Sequence, residues 1–317
     1  MPSTMSMPST SKLTKIKNLF LNCRVRNIAG WTSLVIIGWA TTFNPGKFND
    51  IFQLTFNALL QMFPLAVFAF FLTGSFFSIN NAFDVQEDVN AGKTSNLVAR
   101  GLITKKEAVL FSVIIAMAAV AFFSYMGGLF GFLFSTTCAV LGFLYSVPPF
   151  RLKKRPGIDV ISHGLFLGSL LILIGTTAYG GALNETAYFF AVGFFVVSCL
   201  FQMQNLLGDY FVDRDLGIKT TAVSLKSWQR GRYFFLTFAI LGTIGTIYFG
   251  WYLAIDLRIV LLLVAIQAVN IIVYMPWFSV YKIYLYQLKV QPIILIAWGI
   301  SLLLITLILN FPKGIIF

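Results

Sequence analysis

Eight stretches of this chain carry no Asp, Glu, Lys or Arg and are long enough to cross a lipid bilayer: 27–46, 51–83, 108–150, 160–184, 186–208, 233–255, 259–281 and 290–312. A hydrocarbon layer about 30 Å thick asks for roughly 20 apolar residues per helix. The 43 residues of 108–150 are too many for one crossing and break at Gly127-Gly128, so that stretch counts twice and nine spans are expected. Composition agrees, with 58% of the 317 residues hydrophobic, 11% charged and a mean hydropathy of +0.84. The fold class expected is an all-α, multi-pass integral membrane protein.

Lys and Arg concentrate in the cytoplasmic loops of such proteins. Counting the segments between spans from the N-terminus, the odd-numbered ones hold Lys12, Lys15, Lys17, Arg24 and Arg26, then Lys93, Arg100, Lys105 and Lys106, then Arg151, Lys153, Lys154 and Arg155. The seventh holds Arg214, Lys219, Lys226, Arg230 and Arg232 and the ninth Lys282 and Lys289, which brings the odd set to 20 of the 23 basic residues. The even-numbered segments hold Lys47, Arg258 and Lys313. The N-terminus is therefore expected in the cytoplasm, in the cell membrane if the source is prokaryotic. The net charge of +12 reads as a topology signal and a contact with membrane lipid headgroups. No basic soluble domain exists to carry nucleic-acid binding, so that class is set aside.

Residues 1–11 repeat Met-Pro-Ser-Thr and read as a disordered tail ahead of a single transmembrane domain, 12–317. The first apolar run lacks a small-residue cleavage site and precedes eight more spans, so a removable signal peptide is not expected. Cys23, Cys138 and Cys199 have no metal-ligand spacing and read as structural.

The polar residues that demand an explanation form two ladders. Asn80, Asp84 and Asp88 recur at four-residue intervals at the end of one apolar run, and Asn205, Asp209 and Asp213 repeat the spacing about 120 residues further on. On helices each set lines one face. Two acidic faces near lipid repel unless cations lie between them, and hard cations with oxygen ligands, Mg²⁺ first, suit the gap. Asp84, Glu87, Asp88, Asp209, Asp213 and Asp215 thus gather on the side that also carries most of the Lys and Arg. A diphosphate head on an apolar tail is the ligand such a mixture fits, with the tail among helices rich in Phe.

Three loops bear on this site. The polar stretch 90–104, with Lys93 and Arg100, is long enough to cap it. Pro148-Pro149 must end a helix, which leaves Tyr145 and Ser146 at a helix end with Arg151, Lys153, Lys154 and Arg155 beyond. After the second ladder come Gly217 and Lys219. His163, the chain's one histidine, falls inside a span and reads as an interhelical hydrogen-bonder.

Taken together, Asn80-Asn81-x-x-Asp84-x-x-x-Asp88, Tyr145-Ser146-x-Pro148-Pro149-x-Arg151-Leu152-Lys153 and Asp209-x-x-x-Asp213 with Gly217-x-Lys219-Thr220 resemble the UbiA family of intramembrane prenyltransferases over nearly the whole chain. The resemblance implies nine transmembrane helices around a central cavity that opens to the cytoplasmic side and laterally to lipid. It also implies Mg²⁺-dependent transfer of a prenyl group from its diphosphate to a lipophilic acceptor, an aromatic ring, an isoprenoid or a lipid. Carried over by position, Asn80, Asp84, Asp88, Asp209 and Asp213 would hold the metal. Asn80, Lys93, Arg151, Lys153 and Lys219 would hold the diphosphate, and Tyr145, Ser146, Asp84 and Asp209 would be catalytic. Many members have Asp where this chain has Asn81. The stretch 217–223 also resembles members that prenylate isoprenoid chains such as carotenoids. Two other activities fit the same residues less well: a UbiA-type terpene cyclase needing no acceptor, and a cation or phosphate transporter. The latter is disfavoured because the other side of the bilayer offers only Asp50, Glu185 and Asp256.

Overall fold

The computed structural model describes residues 12–44, 51–90 and 96–275, with isolated positions at 293, 300, 301 and 304, and every regular element among them is helical. Six helices are long and apolar enough to cross a membrane: Gln53–Phe83, Lys105–Ser146, Ile158–Gly180, Glu185–Gly208, Trp228–Tyr252 and Leu257–Tyr274. The tail 1–11 lies outside the described residues, as does the last expected span, 290–312, apart from those isolated positions.

Helix α1 (Lys12–Asn22) carries the basic N-terminal segment, and Arg24 turns the chain with a left-handed φ of 55° into α2 (Val25–Ala40), which realises the first apolar run. Helix α3 (Ile51–Phe83) is followed by the short α4 (Val85–Asn90). Helix α5 (Lys105–Ser146) opens with a capping box, Thr104 accepting from the Glu107 N–H while the Glu107 carboxylate accepts from the Thr104 N–H. It bends where expected, at Gly128, whose φ of 57° and ψ of −141° a side chain would resist. The next apolar run is not one regular helix. It passes from α6 (Ile158–Gly164) through a π-helical turn (Leu165–Ser169) into α7 (Leu170–Thr177). Helices α8 (Glu185–Gly208), α9 (Tyr210–Asp215), α10 (Thr221–Ser224), α11 (Trp228–Tyr252) and α12 (Leu257–Tyr274) complete the described chain.

Lipid tails are as apolar as leucine, so helices in a membrane associate through close packing and interhelical polar contacts. Helix α2 against α7 shows both. A Cβ on Gly175 would stand 1.8 Å from the Val35 carbonyl oxygen, and one on Gly38 would stand 2.1 Å from that of Ile172. The Thr176 hydroxyl meets the Gly38 carbonyl at 3.2 Å across this seam. Around it, Trp39, Phe123, Phe166, Phe189, Phe190 and Phe194 are fully buried, drawn from α2, α5, the π turn and α8.

Polar contacts gather the basic segments at one end of the bundle. Lys15 pairs with Glu107 at 2.5 Å, the Asn22 amide donates to Ser78 Oγ at 3.1 Å, Arg151 reaches Asp84 at 3.1 Å and the Gly157 N–H donates to Thr221 Oγ1 at 2.7 Å. Among the described residues, direct polar contacts thus link the first, third, fifth and seventh segments.

The α2–α7 seam leads to a prediction. Gly175→Ala should destabilise the detergent-solubilised protein by about 1–3 kcal/mol, because the added methyl forces two backbones apart. Gly30→Ala, with open space around the new Cβ, should leave the unfolding temperature unchanged. Equal melting curves for the two variants would refute the seam.

Candidate active site

Both ladders cross a break in a helix. Helix α3 stops at Phe83 and α4 starts at Val85, with Asp84 between them, yet the Asp84 N–H still bonds to the Asn80 carbonyl at 3.0 Å and the Asp88 N–H to the Asp84 carbonyl at 2.8 Å. In the same way α8 stops at Gly208 and α9 starts at Tyr210. There the Asp209 N–H bonds to the Asn205 carbonyl and the Asp213 N–H to that of Asp209, each at 2.9 Å. The four-residue spacing survives the break, so the rungs keep their helical offset.

The first ladder is clamped by the segment after Pro148-Pro149. Helix α5 ends at Ser146, Arg151 adopts a left-handed φ of 36°, and a 3₁₀ turn, Leu152–Lys154, folds back over α3. Asp84 Oδ1 then accepts from both Lys153 Nζ and Arg151 Nη2, the latter at 3.1 Å. Arg151 also meets Glu87 Oε1 at 3.1 Å and the Phe83 carbonyl at 3.2 Å, and Lys154 meets Glu87 Oε1 at 2.5 Å. Burial pulls the Lys153 ammonium below its ordinary value, and the Asp84 carboxylate opposes that shift.

Asn80 and Asn81 face different neighbours. The Asn80 amide nitrogen donates to Ser146 Oγ at 3.1 Å, which joins the first ladder to the end of α5. Asn81 is fully buried in the α1–α2 corner. Its nitrogen donates to the Asn22 backbone carbonyl at 2.9 Å and to the Asn22 side-chain oxygen at 3.0 Å, while its oxygen accepts from Arg24 Nη2 at 2.5 Å. A carboxylate could accept from Arg24 but could not donate to Asn22. The departure from Asp at this position therefore has a local physical reason.

The two ladders share two neighbours. The charges of Asp88, Asp84 and Asp209 all act on the Arg24 guanidinium, opposing the burial that lowers its pKa. Those of Asp159, Asp84, Asp213 and Asp209 act on the Tyr145 hydroxyl. That hydroxyl accepts from Gln202 Nε2 at 2.7 Å, and the ring packs against Phe166 at 5.3 Å and His163 at 6.2 Å. Arg24 and Arg151 each retain a buried Nε–H with no hydrogen-bond partner. Lys219 is exposed and pairs with none of the described carboxylates, and Lys93 lies outside the described residues. Among the described residues no three His, Cys, Asp or Glu side chains converge tightly enough to enclose a metal by themselves.

Several contributors carry no motif signal. Asn96 is fully buried and donates to Asp88 Oδ2 and to the Asn81 carbonyl, each at 2.8 Å, which ties the start of the next described segment to the ladder. Arg24 and Gln202 read as a topology charge and a helix polar residue. Asp159 stands one residue before the apolar run at 160 and reads as a loop charge. It is fully buried in the first turn of α6. Its carboxylate accepts from the Val160 N–H at 2.9 Å, the Thr221 N–H at 2.7 Å and the Thr221 hydroxyl. Asp159 thereby ties the loop after Pro148-Pro149 to the segment after the second ladder. Asp159→Ala should leave the Thr221 N–H unpaired and cost about 1–3 kcal/mol of stability. Thermal unfolding of the purified variant checks this, and an unchanged melting temperature would show that the tie does not hold these segments together.

Comparison with known proteins gives a consistent assignment. The family model described as the UbiA prenyltransferase family matches residues 33–284. A lycopene elongase/hydratase from Haloferax volcanii is 27% identical over 227 residues, covering 67% of this chain and 68% of its own length. Among solved structures, a UbiA homolog from Archaeoglobus fulgidus bound to DMAPP and Mg²⁺ superposes with a TM-score of 0.65 at 20% identity, over 90% of this chain and 99% of that one. A digeranylgeranylglyceryl phosphate synthase superposes with a TM-score of 0.59 at 17% identity, over 93% and 96%.

Proposed function

Given that the chain belongs to the UbiA prenyltransferase family, we propose that it transfers a prenyl group from a prenyl diphosphate to a lipophilic acceptor inside the membrane, with Mg²⁺ as cofactor and with the site on the cytoplasmic side. The observation that carries this reading is the pair of buried, unpartnered guanidinium N–H groups, on Arg24 and Arg151, beside a ladder of carboxylates. A buried donor without a partner is costly. An anionic diphosphate held at the first ladder would draw on the positive charge of both guanidinium groups.

The donor set also fits the metal. Asn80, Asp84, Asp88, Asp209 and Asp213 offer only oxygen, and the Asn80 nitrogen is engaged by Ser146, which leaves its amide oxygen as the coordinating atom. Mg²⁺ is ordinarily held by one or two carboxylates and completes its shell with substrate phosphates, so ladders that do not enclose a cation by themselves suit it. When bound, Mg²⁺ supplies charge neutralisation for the departing diphosphate.

The chain's own residues have distinct tasks. Lys153 and Arg151 share Asp84 and would turn part of their hydrogen bonding toward the phosphates, and Lys219 and Lys93 are the further basic residues that the family resemblance assigns to the head group. Ser146 orients Asn80. The Tyr145 ring, fixed by Gln202, would face the reacting prenyl carbon and stabilise positive charge as the C–O bond lengthens. The apolar helices keep water from that carbon. Among acceptors, the alkene end of an isoprenoid chain is favoured, on the strength of the relative named lycopene elongase/hydratase.

Purified protein incubated with Mg²⁺, prenyl diphosphates of several lengths and candidate acceptors, with mass spectrometry of the extract, tests the reaction. A prenylated acceptor that disappears on chelation is expected, whereas cyclised prenyl products without an acceptor would replace this reading with a cyclase. Asp88→Asn and Asp209→Asn should each lower kcat/KM by at least roughly 100-fold, about 2.7 kcal/mol of transition-state stabilisation. The double variant should lose far less than the product of the two, because the ladders act as one unit. Near-wild-type transfer by the double variant would falsify the assignment.

A further inference from the structure

His163 lies among aromatic side chains next to Tyr145. Its ring lies in an aromatic box with centroid distances of 5.6 Å to Trp31, 5.7 Å to Phe166 and 6.2 Å to Tyr145. Trp31 in turn meets Phe201 edge-on at 6.0 Å. These side chains come from α2, the π turn, α5 and α8, and both Trp31 and Tyr145 are only half-buried. Directly after His163 the helix takes its π-helical turn, Leu165–Ser169, which supplies Phe166. Such one-turn interruptions gather at functional sites.

Hydrogen bonding fixes which ring nitrogen carries the proton. Ser198 Oγ lies 3.0 Å from the His163 backbone carbonyl, which can only accept, so the single hydroxyl hydrogen goes there. The same Oγ lies 2.9 Å from His163 Nδ1 and must accept from it. Nδ1 is thus the protonated nitrogen, and Nε2 carries the lone pair. No described side chain bonds to Nε2.

We propose that His163 Nε2 is the base that terminates prenyl transfer. This rests on the alkene-acceptor reading above. The C1–O bond of the prenyl diphosphate breaks with its electron pair leaving on the diphosphate. The π pair of the acceptor's terminal C=C forms the new bond to C1 and leaves a tertiary cation on the adjacent carbon. A neighbouring C–H gives its proton to Nε2, and its electron pair closes a new C=C. Atoms and charge balance without any other reactant. The aromatic faces of Trp31, Tyr145, Phe166 and Phe201 would hold the cation until the proton leaves. Ser198 is a positioning residue, because it keeps the proton on Nδ1.

The test reads the fate of the cation, measuring released diphosphate and organic products together in the full-length protein. With His163→Gln, diphosphate release should stay within about threefold of wild type, while coupled alkene product per diphosphate should fall at least roughly tenfold, a modest share of what a positioned base contributes. The balance should appear as alcohol, from capture of the cation by water. Ser198→Ala should lower the same ratio by a smaller factor, and His163→Asn, which keeps an amide donor near Ser198, should resemble His163→Gln. A wild type whose coupled product is the tertiary alcohol overturns the proposal, and so does an unchanged product ratio in His163→Gln, whatever happens to the overall rate. So does a loss of diphosphate release and product in parallel. If the wild type couples only to an aromatic acceptor, the alkene reading fails, and the same ratio with that acceptor still decides the role of His163, since an arenium ion must also lose a proton.

Discussion

A carboxylate buried at the end of a lipid-embedded helix has to be matched by positive charge, and that requirement organises this molecule. Asp84 is only 8% exposed. Lys153 and Arg151 converge on a single one of its oxygens, and Arg151 goes on to Glu87. Arg24, bonded to Asn81, feels Asp88, Asp84 and Asp209 at once. Three segments far apart in sequence are held together by one electrostatic demand. Removing any of them would leave buried charge uncompensated, which costs more than the pair itself returns.

The two ladders share one local geometry. In each ladder the regular helix lapses at the middle rung and resumes one residue later, while the backbone bonds into and out of that rung persist. The rung sits at the junction of a long spanning helix and a six-residue cap, α4 in one case and α9 in the other. Tyr145 and Arg24 lie within the field of both.

Much of this was legible in the sequence because the relevant signals are local. Charge-free runs mark the spans, Gly127-Gly128 marks the bend in α5, and four-residue spacing marks the ladders. Pro148-Pro149 announces the end of α5. The residues that escaped are those whose meaning comes from a partner far along the chain. Asp159 matters through Thr221, Asn96 through Asp88, and Gln202 through Tyr145. Asn81 was visible as a departure, but its reason, the amide exchange with Asn22 and Arg24, needs the folded corner. His163 does bridge helices as its setting suggested, through Ser198, yet no spacing rule could place it in an aromatic box.

The π turn at 165–169 carries a consequence of its own. A wider turn inserts one residue relative to an α-helix, and one residue is worth about 100° of rotation. Everything downstream is phased by that insertion, including Gly175 and Thr176, which meet α2 at contact distance. The same irregularity that sets the azimuth of Phe166 beside His163 also decides which stripe of α7 faces Val35 and Gly38. Ring placement at one end of this span and packing at the other are therefore written in a single reading frame, and neither can shift by a residue without unseating the other.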